Sequence, residues 1–384
     1  MFDLTPLPKD ILLVKAHSMG IGDLIRSSPA WRAIKDRWPQ SNLHLLMLST
    51  HPGYPIEQLL REHNLLKSAQ FISVLESEPK NGKRVKISFA VLLQRVRDSV
   101  GDLRADLVID FEPNGLRTAA LSYWLGRRLH APVVGVAQFP LRRLFYTLAA
   151  PSKRRFAAKY ALSMPMDYVY RDFVVLDALK IVRDGRMLEL QVSPSAQAWA
   201  AKYVVAGQKF PRDFFLLTLN IGCGTNGALP RRPPIESVAH ALAELYRVRP
   251  FVLYLAGAEF ESEVNDAFTV LLVARLGILG LKLDFRNLAG KGTLAEVTGL
   301  LAASDLVVSS DSGLYHIAVA LGVPTICWFM MPTPEAHHVR DNVKLLMTPA
   351  PRELVEAVEE LFGTGQIKKT QPNSSSQLAQ SSPI

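Results

Sequence analysis

Short apolar runs alternate with amphipathic stretches along this chain, twice over, and few folds accept that order. In the first half, Ile11 to Lys15, Leu43 to Leu48, Phe71 to Leu75, Leu107 to Asp110 and Val133 to Val136 read as strands. Helical patterns fall at Leu24 to Arg37, Ser88 to Val100, Leu116 to Leu125 and Met166 to Leu179. A second alternation has strands at Phe214 to Leu219, Phe251 to Ala256, Phe285 to Leu288 and Thr325 to Phe329. Its helices are Ile235 to Tyr246, Glu261 to Leu276, Thr293 to Ala303 and, last, Arg352 to Leu361. Strands without polar alternation are buried on both faces, which calls for parallel sheets covered by helices. The chain therefore reads as α/β: two doubly wound domains, 1–190 and 191–350, with a terminal helix in 351–363. Residues 364–384 are rich in Gln, Ser, Asn and Pro without periodicity and are expected to be disordered.

Within this pattern Asp305 to Pro324, DLVVSSDSGLYHIAVALGVP, is strand, turn and helix in immediate succession. A helix entered through Asp311, Ser312 and Gly313 presents free backbone N–H groups and the positive end of its dipole, which suits a diphosphate. Simple capping by Asp311 and Ser312 is the competing reading. Other polar residues also fall at strand ends: Gly22 and Asp23, Asp110 and Glu112, Gly222 to Thr225, and Gly257. Two doubly wound domains can gather all of these in one cleft between the carboxyl ends of their sheets.

The opening strand, turn and helix invite a dinucleotide reading, but Ile25 stands where a third glycine is needed and no carboxylate follows the second strand. No apolar run approaches the roughly 20 residues of a membrane span, and the first residues lack a signal-peptide pattern. Two cysteines, Cys223 and Cys327, suit a reducing compartment, so a cytoplasmic protein is expected. Of the net charge of +9, residues 1–190 carry all the excess, with 28 Lys and Arg against 18 Asp and Glu. One basic half beside a neutral one points to one anionic ligand of two, or an anionic surface. In residues 139–162, Arg142, Arg143, Lys153, Arg154, Arg155 and Lys159 interleave with aromatics. That segment either lies in an anionic membrane interface or packs its aromatics inward as a surface helix. The basic half shows no recognition-helix or single-strand-binding motif, so nucleic acid is not an expected partner.

Two motifs, almost the whole chain apart, carry a resemblance. VKAHSMGIGDLIRSSPAW, with Gly22, Asp23, Pro29 and Ala30, and SSDSGLYHIAVALGVP, with Asp311, Ser312, Gly313 and His316, together resemble glycosyltransferase family 9, the heptosyltransferases of lipopolysaccharide core assembly. Weaker matches lie between: IDFEPNGLRTAAL places Arg117, DYVYRDFVVLDAL places Arg171, and LNIGCGTNGALPRRPP places Thr225 and Arg231. LAGAEFESE makes Glu261 or Glu263 the candidate for the nucleoside ribose. The chain departs from the family pattern by two extra residues before Asp23, by Asp167 and Glu112, and by Arg-Pro in place of a Lys and a Trp.

The resemblance implies a GT-B fold of two Rossmann-like domains facing a cleft, and inverting transfer of a sugar from a nucleotide diphosphate, ADP-heptose in the family. Asp23 is the implied base, with helix capping as its bland alternative. Thr225, Arg231, Glu261 or Glu263, Asp311, Ser312, Gly313 and His316 are the implied donor side. Gly22, Arg117, Arg171, Arg142 and Arg143 are the acceptor side, for an anionic lipid-linked saccharide at the cytoplasmic face of the inner membrane. No cofactor is implied beyond the donor substrate. Asp110 and Glu112 could share a metal if both faced the cleft, but the resemblance argues for protein donors instead, so no metal is expected. A nucleotide-sugar-binding protein without turnover, and a family 9 transferase with another donor and acceptor, are the alternatives.

Overall fold

The computed structural model describes residues 6–17, 20–51, 53–76, 85–204, 215–224, 226–331 and 341–363. The expected disordered tail, 364–384, and Thr225 lie outside them.

Twelve strands among these residues form two parallel sheets of six. The first holds β1 (Asp10–His17), β2 (Asn42–Ser49), β3 (Ser68–Ser73), β4 (Leu107–Asp110), β5 (Val133–Val136) and β6 (Leu148–Ala150). The second holds β7 (Phe215–Asn220), β8 (Phe251–Leu255), β9 (Phe285–Asn287), β10 (Leu306–Ser310), β11 (Thr325–Trp328) and β12 (Val343–Leu346). Their orders are β3-β2-β1-β4-β5-β6 and, read the same way round, β9-β8-β7-β10-β11-β12. Strand order thus reverses between β1 and β4 and between β7 and β10. A doubly wound sheet binds ligands at the carboxyl ends of its strands at such a reversal.

The central strands β1, β4, β7 and β10 are buried at their apolar positions except the partly buried Ala16, as their apolar runs require. The largest apolar core joins inner faces of both halves, from Leu13, Trp31 and Ile34 to Trp199, Val307 and Tyr315. A separate core lies on the outer side of each sheet.

The helices of the first half are α1 (Ile21–Ile25), α2 (Ser28–Arg37), α3 (Ile56–Arg61), α4 (Phe89–Val100), α5 (Leu116–Leu129), α6 (Lys153–Lys159) and α7 (Tyr170–Leu176). They are followed by α8 (Pro194–Val204), α9 (Ile235–Val248), α10 (Ser262–Ile278), α11 (Leu294–Ala303), α12 (Gly313–Ala320) and α13 (Pro351–Phe362). The helix expected from Leu24 to Arg37 is two helices. Pro29 cannot donate to the Ile25 carbonyl, and the Ser28 hydroxyl takes that carbonyl instead at 2.7 Å. The helix expected from Met166 begins only at Tyr170, because the Asp167 carboxylate accepts the Val169 N–H at 2.9 Å and holds a turn.

The basic segment 139–162 is neither one interfacial helix nor one surface helix. It is a 3-10 turn (Pro140–Phe145), then β6, then α6. Phe156 and Tyr146 do pack inward, with 4% and 9% of their surface exposed.

Candidate active site

Asp23 lies in the first turn of α1, six residues after the end of β1. It does not cap the helix. Gly20 holds the capping position, with no side-chain cap, and Asp23 folds back so closely that a methyl on Gly20 would stand 2.9 Å from its Oδ2. Its side chain is 45% exposed, and its one ion pair among the described residues is to Arg26, 3.4 Å away.

Arg26 was not singled out by the sequence, yet it joins the two halves. Its buried guanidinium donates to His316 Nε2 at 3.1 Å and stacks over the Tyr168 ring at 4.7 Å. A guanidinium cannot accept, so Nε2 is the accepting nitrogen and the imidazole proton is assigned to Nδ1. His316 Nε2 is 3.9 Å from Asp311 Oδ1, and Asp311 Oδ2 is 3.4 Å from Arg231. A chain of contacts thus runs from Asp23 through Arg26 and the neutral His316 to Asp311 and Arg231. Burial pushes the Asp311 carboxyl up, against Arg231 and Arg26, which hold it down. Burial likewise lowers Arg26, opposed first by Asp23 and then by Asp311.

His316, expected on the donor side, has protein groups of the seam as its described partners. The contact between α1 and α12 depends on two glycines. A methyl on Gly22 would overlap the His316 ring, and one on Gly313 would stand 2.6 Å from Ile21. Gly22, expected on the acceptor side, is therefore buried beneath His316. Gly22→Ala is expected to cost about 1–3 kcal/mol through overpacking. Thermal unfolding of G22A, H316A and the double variant tests this: the double variant should lose less than the sum of the singles.

Ser312 takes the N-cap position of α12 but does not cap it. Its hydroxyl donates to Asn220 Oδ1 at 2.7 Å instead, at the end of β7. The capping alternative fails for this side chain, and the helix start keeps N–H groups for a ligand. They face a cavity of about 710 Å³ lined by Asn220, Gly257, Glu261, Thr293, Ser312 and Gly313 of the second half and by Tyr54, Gln58 and Arg61 of the first. Glu261, not Glu263, belongs to it: Glu263 is exposed on α10. The Glu261 carboxylate accepts the N–H groups of Gly224 at 3.1 Å and Ala258 at 2.7 Å. It thereby ties the loop after β7 to the loop after β8.

A second cavity, about 340 Å³, opens beside β1 and β4. Asp23, Lys15, Lys86, Glu112, Arg117 and Arg171 line it. Lys15 is committed to Asp172, 2.8 Å away, and to Ser27 at 2.5 Å. Arg117 donates to the carbonyls of Ile87 at 2.7 Å and Ser88 at 3.2 Å, and Arg171 is 3.9 Å from Glu112.

Arg142 and Arg143 do not line this cavity. Arg143 is exposed. Arg142 is wholly buried, paired with Asp110 at 3.2 Å and bonded to Tyr146 and to the carbonyls of Val136, Gly115 and Glu112. It cannot reach an acceptor, because the loop after β4 encloses it. Asp110 is consumed by the same cluster, accepting from Tyr146 at 2.7 Å. Asp110 and Glu112 therefore do not present two open carboxylates.

Residues 273–346 match the family model of glycosyltransferase family 9 (heptosyltransferase), a span that includes the Asp311 turn. No curated protein is matched by the sequence. Among solved structures, a family 9 glycosyltransferase from Veillonella parvula superposes with a TM-score of 0.65 at 17% identity, covering 91% of this chain and 96% of that one. The E. coli ADP-heptose lipopolysaccharide heptosyltransferase II gives 0.62 at 18%, covering 91% and 98%. E. coli heptosyltransferase WaaC, solved with ADP-2-deoxy-2-fluoro heptose, gives 0.62 at 18%, covering 91% and 99%. Residues 273–346 are thus similar to glycosyltransferase family 9, and the two six-stranded parallel sheets carry the GT-B fold of the superposed structures.

Proposed function

We propose that this enzyme transfers heptose from ADP-heptose, with inversion, to an anionic, lipid-linked saccharide of the lipopolysaccharide-core type. The observation that carries the proposal is the position of Asp23. It is exposed in the basic cavity and is linked by two contacts, Asp23 to Arg26 and Arg26 to His316, to the helix whose start opens the larger cavity. The acceptor hydroxyl enters the smaller cavity and attacks the anomeric carbon from the face opposite the diphosphate. Its proton passes to the Asp23 carboxylate as the carbon–oxygen bond to the diphosphate breaks, and ADP leaves with the electron pair. The N–H groups of α12 and the Arg231 guanidinium meet the charge that builds on the leaving diphosphate. Asp311, neutralised by Arg231 and Arg26, repels that charge less than a lone carboxylate would.

Arg117, Arg171 and Lys86 give the smaller cavity its preference for an anionic acceptor. The Glu261-braced loops and Tyr54 give the larger cavity a mixed apolar and polar wall suited to a nucleoside. Two of the superposable structures carry ADP or an ADP-sugar, which supports ADP as the nucleotide. Among the described residues no helix is long and apolar enough to cross a membrane. Peripheral attachment at the cytoplasmic face of the inner membrane is part of the proposal, since the acceptor is held there.

Calorimetry with ADP, UDP, GDP and CDP tests the donor assignment. ADP is expected to bind tightest by tenfold or more; preference for another nucleotide would sink ADP-heptose while leaving sugar transfer standing.

A further inference from the structure

We propose that the 3-10 turn Pro140–Phe145 and the outward face of α5 form a docking surface for an anionic lipid bilayer, beside the acceptor cavity. The inference rests on the reading of the acceptor as lipid-linked. A 3-10 turn repeats every three residues, so Leu141 and Leu144 share one edge while Arg142 and Phe145 share another. The inner edge is anchored. Arg142 is wholly buried, and Phe145 meets Tyr123 of α5 edge-on at 6.1 Å. The outer edge is bare: Leu141 is 58% exposed, Leu144 is 76% exposed, and the exposed Arg143 lies between them.

On α5 the positions Leu116, Tyr123 and Arg127 fall on one helical face, and all three are exposed. Exposed apolar side chains flanked by arginines match the boundary between acyl chains and headgroups. Charge complementarity selects the bilayer. From Pro113 to Met166 there are nine Lys and Arg and not one Asp or Glu. Arg127 and Arg143 have no ion pair among the described residues. A second copy of the chain would set arginine against arginine across a two-fold contact, whereas anionic headgroups meet both arginines at once.

The position also fits. Arg142 donates to the carbonyls of Glu112 and Gly115, and both of these residues line the acceptor cavity. Docking the turn on a bilayer brings the mouth of that cavity to the lipid surface, where a lipid-linked acceptor is displayed.

Co-sedimentation with vesicles of phosphatidylcholine, with and without phosphatidylglycerol, tests the inference. The full chain is expected to bind the phosphatidylglycerol vesicles and to be released by salt. L141S/L144S and, separately, R127E/R143E should each lower that partition about tenfold or more. These side chains are exposed and outside both cavities, so ADP affinity should stay unchanged, which separates lost docking from lost folding. Equal binding to neutral vesicles, retention of binding by either variant, or a dimer that L144S dissociates would each overturn the docking surface. Vesicle binding without ADP binding would instead count against the sugar-transfer reading alone.

Discussion

Asp23→Asn is expected to lower turnover by about 100-fold or more while ADP affinity stays within about twofold of wild type. The amide keeps the size of the carboxylate and can still meet Arg26, but it cannot take the acceptor proton. Asp23 is 45% exposed in the first turn of α1, so the substitution creates no cavity, and the amide oxygen can still accept from the buried Arg26 although the ion pair is lost. The measurement is the ratio of kcat to ADP affinity in one preparation. Loss of both together would make Asp23 a brace for Arg26; activity near wild type would mean that Asp23 is not the base.

Arg142→Ala is the substitution expected to damage the fold most. It removes one partner of a wholly buried ion pair and strips the donors from three carbonyls, at a cost of about 3–5 kcal/mol. The loss should depend on pH in an unusual direction. Burial pushes the Asp110 carboxyl up to about 6 from its ordinary 3.8, against Tyr146 and Arg142, which hold it down. With the folded value above the unfolded one, the folded chain binds the extra proton. The contribution of Asp110 to stability is therefore fully present below the unfolded value and lost as pH rises through about 6. Without Arg142 the folded value moves higher, so the deficit against wild type should widen from pH 5 to pH 8. Urea unfolding of both proteins at the two pH values decides it. An equal deficit would mean that only the carbonyl bonds matter.

The alternation of strands and helices was legible because a parallel strand covered on both faces must be apolar at nearly every position. β4, β5 and most of β1, β2, β7 and β10 follow from that rule. β6 and β12 escaped it: β6 has three residues and β12 is partly exposed at three of its four positions. The 3-10 turn that carries Arg142 escaped as well, because a burial decided by one guanidinium leaves no periodic trace.

In the site, local chemistry was legible and partnership was not. Asp, Ser and Gly at a strand-to-helix turn announce a free helix start, and α12 has one. Whether Ser312 caps that helix or bonds Asn220 depends on a strand about ninety residues earlier in the chain. The choice between Glu261 and Glu263 turned on which carboxylate meets the Gly224 and Ala258 N–H groups.

By itself the sequence determined two doubly wound sheets, a basic half, and the carboxylate and helix start at their strand ends, since these depend on local pattern and composition. Only the tertiary structure decided that Arg26 joins Asp23 to His316, that Gly22 exists to admit an imidazole, and that Arg142 belongs to the core rather than to the acceptor. Each of those outcomes is a contact or a burial between segments distant in sequence, fixed by how the sheets pack and visible in neither segment alone.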